Sequence, residues 1–142
     1  MPALEDEILF LTNQRRVQLG LGLLAPNTTL RQAARIRSRE MYYYNYFDHL
    51  RPDGTEWHTV LDLFAMPKIH ASENIAKGSY IGEPGQSRNL LSAAFWQNEW
   101  ENSPPHYESI IDPDVTQLGV GFYYVITDDT VEIYATALFA AL

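Results

Sequence analysis

The chain has 142 residues, 46% of them hydrophobic and 13% aromatic, which describes a folded globular chain of one domain spanning 1–142 with length enough to bury a core. Ten basic against eighteen acidic side chains leave a formal net charge of -8, a field that repels phosphate backbones and excludes nucleic acid as a partner class. With no cysteine there is neither a disulfide framework nor a thiolate metal site. No segment reaches the roughly 18 apolar residues of a membrane span. The opening Met1-Pro2-Ala3-Leu4-Glu5-Asp6-Glu7 lacks the basic-then-apolar pattern of a signal peptide. Such a start suits a mature exported domain and a cytoplasmic protein equally.

Residues 3–20 read as an amphipathic helix, with Leu4, Ile8, Leu11 and Leu19 near the 3.6 period and Glu5, Asp6 and Glu7 in the first turn. Gly20-Leu21-Gly22 stops it. A second helix opens at Thr29-Leu30-Arg31-Gln32, a capping-box pattern, and turns Leu30, Ala34, Met41 and Tyr44 inward. Its end carries Tyr42-Tyr43-Tyr44 and Tyr46-Phe47, read mainly as core packing with phenols at the surface. After the turn Arg51-Pro52-Asp53-Gly54, the stripe Trp57, Val60, Leu61 and Phe64 predicts a short third helix ended before Pro67. His58 and His70 stand alone, as surface or capping histidines often do. Residues 77–89 carry enough glycine and proline to read as loop.

A fourth helix is expected over about 88–101, with Leu91, Ala94 and Phe95 on one side and Trp96 and Trp100 one turn apart. Ser103-Pro104-Pro105 ends it, and His106-Tyr107 begin a short turn running to Ile110-Ile111. Two alternating strands close the chain: Leu118, Val120, Phe122, Tyr124, Ile126, then Val131, Ile133, Ala135, Ala137, Phe139. Gly119 and Gly121 leave one face of the first strand bare for a close neighbour. Helices first and a hairpin last predict an α+β fold, helices covering an antiparallel sheet.

Three distant segments carry the chemistry. His49 sits in Tyr46-Phe47-Asp48-His49-Leu50-Arg51-Pro52-Asp53-Gly54, Glu73 in Ser72-Glu73-Asn74-Ile75-Ala76, and His106 in Asn102-Ser103-Pro104-Pro105-His106. Two neutral imidazoles and a carboxylate would suffice as zinc ligands with a fourth position open to water, although no local spacing motif joins them.

The same segments resemble a known superfamily. Asn13-Gln14-Arg15-Arg16 with Gly20-Leu21, Leu24 and Asn27 is similar to its opening helix and loop. So are Leu30, Ala33-Ala34, Arg37-Ser38, Glu40-Met41, the His49 and Glu73 segments, Trp100-Glu101-Asn102-Ser103-Pro104-Pro105-His106, and Leu118-Gly119-Val120-Gly121. This is the CAP superfamily of cysteine-rich secretory, antigen 5 and pathogenesis-related proteins, in its short cysteine-free bacterial branch. The resemblance implies a three-layer α-β-α sandwich, about three antiparallel strands between layers of helix. It also implies an extracellular or cell-surface location and a cleft that binds zinc or another divalent ion in some members. On that pattern the metal ligands are His49, Glu73 and His106, with Asn74, Glu101 and Ser103 as cleft-lining candidates. Ser103 stands where a second glutamate is usual, and Glu101 is the nearest substitute.

Four functions follow as alternatives. The first is a monomeric binding module whose cleft takes a divalent ion and a peptide, glycan or lipid, with no organic cofactor. The second is a zinc-assisted, peptidase-like hydrolase with Glu73 or Glu101 as base. The third uses Ser103 as nucleophile with His106 as base. The fourth leaves the two histidines as purely structural members of a polar network.

Overall fold

The computed structural model describes residues 2–67, 69–81 and 92–142. Its elements are α1 (Pro2–Gln18), β1 (Ala25–Pro26), α2 (Thr28–Tyr43), a 3-10 helix (Trp57–Phe64), β2 (Ala71–Ile81), α3 (Ala93–Glu101), α4 (Pro104–Ile110), β3 (Gln117–Ile126) and β4 (Thr130–Ala140). The sheet order is β1-β3-β4-β2. β2, β3 and β4 are antiparallel, and the two-residue β1 joins β3 in parallel, so the expected antiparallel sheet is a mixed one of four strands.

Strand alternation builds the three layers. Leu118, Val120 and Phe122 of β3 and Val131, Ile133, Ala135, Ala137 and Phe139 of β4 point to one face. There they meet Leu4 and Ile8 of α1, Trp96 and Trp100 of α3, and Ile110 of α4. The other face receives Leu30, Ala33 and Ala34 of α2 with Val60 and Leu61, packed on Leu138 and Ala140. Gly119 and Gly121 lie on this second face, and their bare backbone lets α2 settle against the sheet. A Cβ at Gly119 would stand 2.2 Å from the Leu30 carbonyl carbon, and one at Gly121 2.2 Å from the Arg35 nitrogen. Ser38 then donates to the Gly121 carbonyl at 2.8 Å, fastening helix to strand.

Several local expectations change. α1 ends at Gln18, two residues before Gly20 takes its positive φ of 74°. α2 is capped by Asn27, whose side chain accepts from the Leu30 nitrogen at 2.8 Å, so the cap lies two residues before Thr29. The third helix is 3-10 in type, and the stretch from Pro104 to Ile110 is a helix, its N-terminus set by two prolines, where a turn was expected. The largest correction is β2. Residues 77–81, read as the start of a loop, and the Glu73-Asn74 segment before them form one 11-residue strand paired along its length with β4. The remainder of that loop, residues 82–89, and the predicted helical start at 88–91 lie outside the described residues.

Candidate functional site

β2 is an edge strand, and its successive residues Glu73 and Asn74 point to opposite faces of the sheet. Each anchors one imidazole-bearing segment. On the α2 face, Glu73 Oε1 accepts from His49 Nδ1 at 2.8 Å. On the other face, Asn74 Nδ2 donates to the His106 carbonyl at 2.9 Å and holds the start of α4 against the strand. Trp100 Nε1 reaches the Ile75 carbonyl at 3.2 Å, tying α3 to the same edge. The two histidines therefore flank β2 from the two helical layers.

Arg37 organises the α2 side. It lies at a fully buried position on the inner face of α2 and donates through Nε to Glu73 Oε2 at 2.7 Å and through Nη2 to Glu73 Oε1 at 3.2 Å. Its remaining donors take the Tyr46 hydroxyl at 2.7 Å and the Asp48 carbonyl at 2.8 Å, which fixes the loop leading into His49. A second arginine fork follows, Arg51 donating to both oxygens of Glu40 at 2.5 and 3.2 Å. The turn after His49 closes on the Asp53 carboxylate, which accepts from the Thr55 backbone at 2.9 Å, with Gly54 at φ 84°. His49 is thus a half-exposed ring on a loop braced at both ends.

The electrostatics of the two rings differ. Hydrogen bonding to Glu73 raises the His49 pKa, against the opposing effect of partial burial. Burial lowers the His106 pKa, and the neighbouring His49 lowers it further. Because a carboxylate only accepts, His49 carries a proton on Nδ1, and in the neutral ring the lone pair is left on Nε2.

Glu73 has both oxygens engaged, one by Arg37 and one by Arg37 and His49 together. A carboxylate in that position orients a histidine from behind. Among the described residues no group of three or more His, Asp or Glu side chains is placed to hold a metal ion. The arrangement does not fit a zinc centre with three protein ligands.

The other candidates fall in separate places. Glu101 accepts from Arg15 Nε at 2.6 Å and lines a cleft between α1 and α3. Ser103 occupies the cap position of α4, where its carbonyl accepts from the Tyr107 nitrogen at 2.8 Å and its hydroxyl makes no capping bond. Asn74 Oδ1 is buried without a hydrogen-bond partner among the described residues. Of the solitary histidines, His70 pairs with Asp112, which raises its pKa, while His58 stacks edge-on against Trp57. Arg37 entered the sequence reading only as part of the family resemblance, and its role at the site was missed. Its signal was a charged side chain at a core position of the run Leu30, Ala33, Ala34, Ser38, Met41, all buried on one helix face.

A sheet covered by helices on both faces is the fold this chain shares with a solved SCP domain. Residues 9–139 match the model of the cysteine-rich secretory protein family, CAP, and the chain belongs to that family. Among its relatives, YkwD of Bacillus subtilis is 34% identical over 120 residues, covering 84% of this chain and 42% of that protein. The B. subtilis membrane protein YlbC is 31% identical over 117 residues, covering 82% of this chain and 31% of that protein. The chain therefore spans less than half of either relative. An extracellular Bacillus anthracis protein containing an SCP domain superposes with a TM-score of 0.79 at 25% identity, over 99% of this chain and 41% of that one. An outer surface protein of Borrelia burgdorferi gives 0.73 at 20% identity, over 95% and 90% of the two chains. None of the helices among the described residues is long and apolar enough to cross a membrane.

Proposed function

We propose that this CAP domain works outside the cell as a binding module, with the rim between His49 and His106 as its ligand-facing site. One observation carries the reading: the carboxylate between the two imidazole-bearing segments, Glu73, is spent on Arg37 and His49. A hydrolase needs a base free to take a proton from water or substrate, and both oxygens of Glu73 are taken by the Arg37 fork and His49. The Ser103 hydroxyl, at the cap of α4, makes no capping bond, and activation as a nucleophile would need a base within hydrogen-bond reach. What remains is a half-exposed ring whose Nε2 is not taken by Glu73 and a second ring near it, suited to hydrogen-bonding a peptide, glycan or lipid headgroup. A divalent cation would find two imidazoles there, so metal is dispensable to this reading. The extracellular assignment is supported by family membership and by the B. anthracis neighbour.

Melting curves of chelator-stripped protein with and without zinc, for wild type and His49→Ala/His106→Ala, test it. Binding without a metal centre predicts no zinc-dependent rise and no turnover on a hydrolase panel. A rise confined to wild type, with hydrolysis abolished by Glu73→Gln, would replace the reading with the zinc-assisted hydrolase.

A further inference from the structure

A second polar site lies between α1 and α3, built from side chains that take no part in the histidine rim. Thr12 and Gln97 face each other there, 1% and 3% exposed, joined by a 3.2 Å hydrogen bond from the Thr12 hydroxyl to Gln97 Oε1. Gln97 Nε2 is buried and has no partner among the described residues. Turning the amide over exchanges the atoms without curing the deficit, because one hydroxyl can engage one end of the amide only. A carboxamide left half-satisfied in the interior is a standing cost. The same side chain lines a cavity of about 280 Å³, smaller than the ~300–1,000 Å³ that suits drug-sized ligands.

Around it stand Gln14 and Gln18 on α1, Asn98 on α3, and the Arg15–Glu101 ion pair that spans the two helices. Arg15 Nε stands 2.6 Å from Glu101 Oε1, so the two opposite charges offset each other at the mouth of the cleft. A lone anion would meet Glu101 and a lone cation would meet Arg15. The chemistry therefore selects a neutral molecule, one that offers donors and acceptors side by side, as each carboxamide does. Leu11 and Ala94 add apolar wall for the C–H face of a ring or a methyl group. An extended peptide would outrun a cavity of this size.

From this we infer that the α1–α3 cleft is a saccharide subsite, which takes one neutral pyranose ring with Gln97 at its floor and the Arg15–Glu101 pair at its mouth. The ring is a free monosaccharide or the end residue of a glycan; the two share the chemistry the cleft reads. The site is independent of His49 and His106, so it stands or falls apart from the rim.

The test is a two-dimensional amide NMR titration of the full chain with N-acetylglucosamine and with its β-1,4-linked trimer, at millimolar concentrations. Shifts confined to α1 and α3, including the Gln97 side-chain amide pair, are expected. They should persist in His49→Ala/His106→Ala. Asn98→Ala and Arg15→Met, whose side chains are exposed enough to leave the fold intact, should each weaken binding about tenfold, the net worth of one hydrogen bond. Trimer binding tighter than monomer assigns a glycan end, and equal affinity assigns the free sugar. No shift with either sugar, shifts elsewhere on the protein, or shifts indifferent to both variants would overturn the inference and leave Gln97 as a water-satisfied core amide.

Discussion

Arg37 holds both oxygens of Glu73 in a buried fork, Nε to Oε2 at 2.7 Å and Nη2 to Oε1 at 3.2 Å, with both side chains fully shielded from solvent. Attraction inside the protein offsets the desolvation of the two charges only while the pair is intact. Arg37→Ala strands a buried carboxylate and also frees Tyr46 and the Asp48 carbonyl. It should cost about 3–5 kcal/mol of unfolding free energy. Arg37→Met/Glu73→Met removes both charges and should recover most of that loss while abolishing the raised His49 pKa. Urea denaturation of wild type and the single and double variants checks both halves. A double variant as unstable as Arg37→Ala would show that the hydrogen bonds to the loop, not charge pairing, supply the stability.

The protonation of the two histidines follows from what each touches. His49 titrates above its ordinary value of 6.5 because Glu73 accepts from it, and His106 titrates below 6.5 because burial and His49 oppose its charge. The linkage signs are opposite. The His49 contribution to stability is complete below pH 6.5 and is lost as pH rises through its folded value. His106 imposes a penalty that sets in as pH falls through 6.5 and is complete below its folded value. His49→Ala should therefore be most destabilising on the acid side, with the difference from wild type shrinking as pH rises. His106→Ala should relieve part of the acid-side loss. Imidazole proton NMR gives the two pKa values directly, and His49→Ala should move that of His106 upward. A His106 pKa at or above 6.5 in wild type would contradict the geometry.

Much of this was legible in the sequence, and unevenly so. The β3–β4 hairpin showed because apolar residues alternate along both strands, Leu118 to Ile126 and Val131 to Phe139, although Tyr124 and Ile126 at the outer end prove exposed. The glycine pair on β3 announced a close neighbour for a steric reason that needs no structure, and the structure identifies that neighbour as α2. β2 was hidden because its buried centre is Glu73-Asn74, polar residues whose burial depends on partners 36 and 32 positions away. Its second half carries Lys77, Gly78 and Ser79, which read as loop. Glu5 was read as a helix-dipole residue, yet it is fully buried, accepts from the Phe122 nitrogen at 3.0 Å and pairs with Arg35. Helix periodicity locates a core face but does not say which charged residues will enter it with a partner. The expectation that His49, Glu73 and His106 converge came from resemblance, since nothing in their spacing requires it. The structure pairs His49 with Glu73 and ties the His106 carbonyl to Asn74 on the other face of β2.

Asn74 is the hinge between the strand edge and α4, its side-chain amide donating to the His106 carbonyl while Oδ1 stays unpartnered among the described residues. Asn74→Ala should cost about 1–3 kcal/mol, the range for a lost buried hydrogen bond and its unpaired remainder. It should also loosen the start of α4, so that the His106 pKa rises toward 6.5 as the ring gains solvent. Asn74→Asp sets a carboxylate against the same carbonyl and should be worse than alanine. Chemical denaturation combined with the His106 titration separates the outcomes. Destabilisation with an unmoved His106 pKa would mean that α4 is held by its own packing.

Gly121 tests whether the helix layer and the site are one mechanical unit. A methyl group there would meet the Arg35 nitrogen at 2.2 Å and the Ala34 carbonyl carbon at 2.5 Å, both backbone atoms with no rotamer to yield. Gly121→Ala must therefore push α2 off the sheet, and its cost should reach or exceed the ~1–3 kcal/mol usual for overpacking. Because α2 carries Arg37, the displacement should also disturb the fork on Glu73 and lower the His49 pKa toward 6.5. Gly22→Ala is the matched control, since a Cβ there has nothing within 4 Å. It should change stability by no more than about 1 kcal/mol and leave His49 unmoved. If Gly121→Ala lowers stability while the His49 pKa stays where it was, the rim is held by its loop alone. A joint change shows that the glycine face of β3 sets the position of the arginine that sets the histidine.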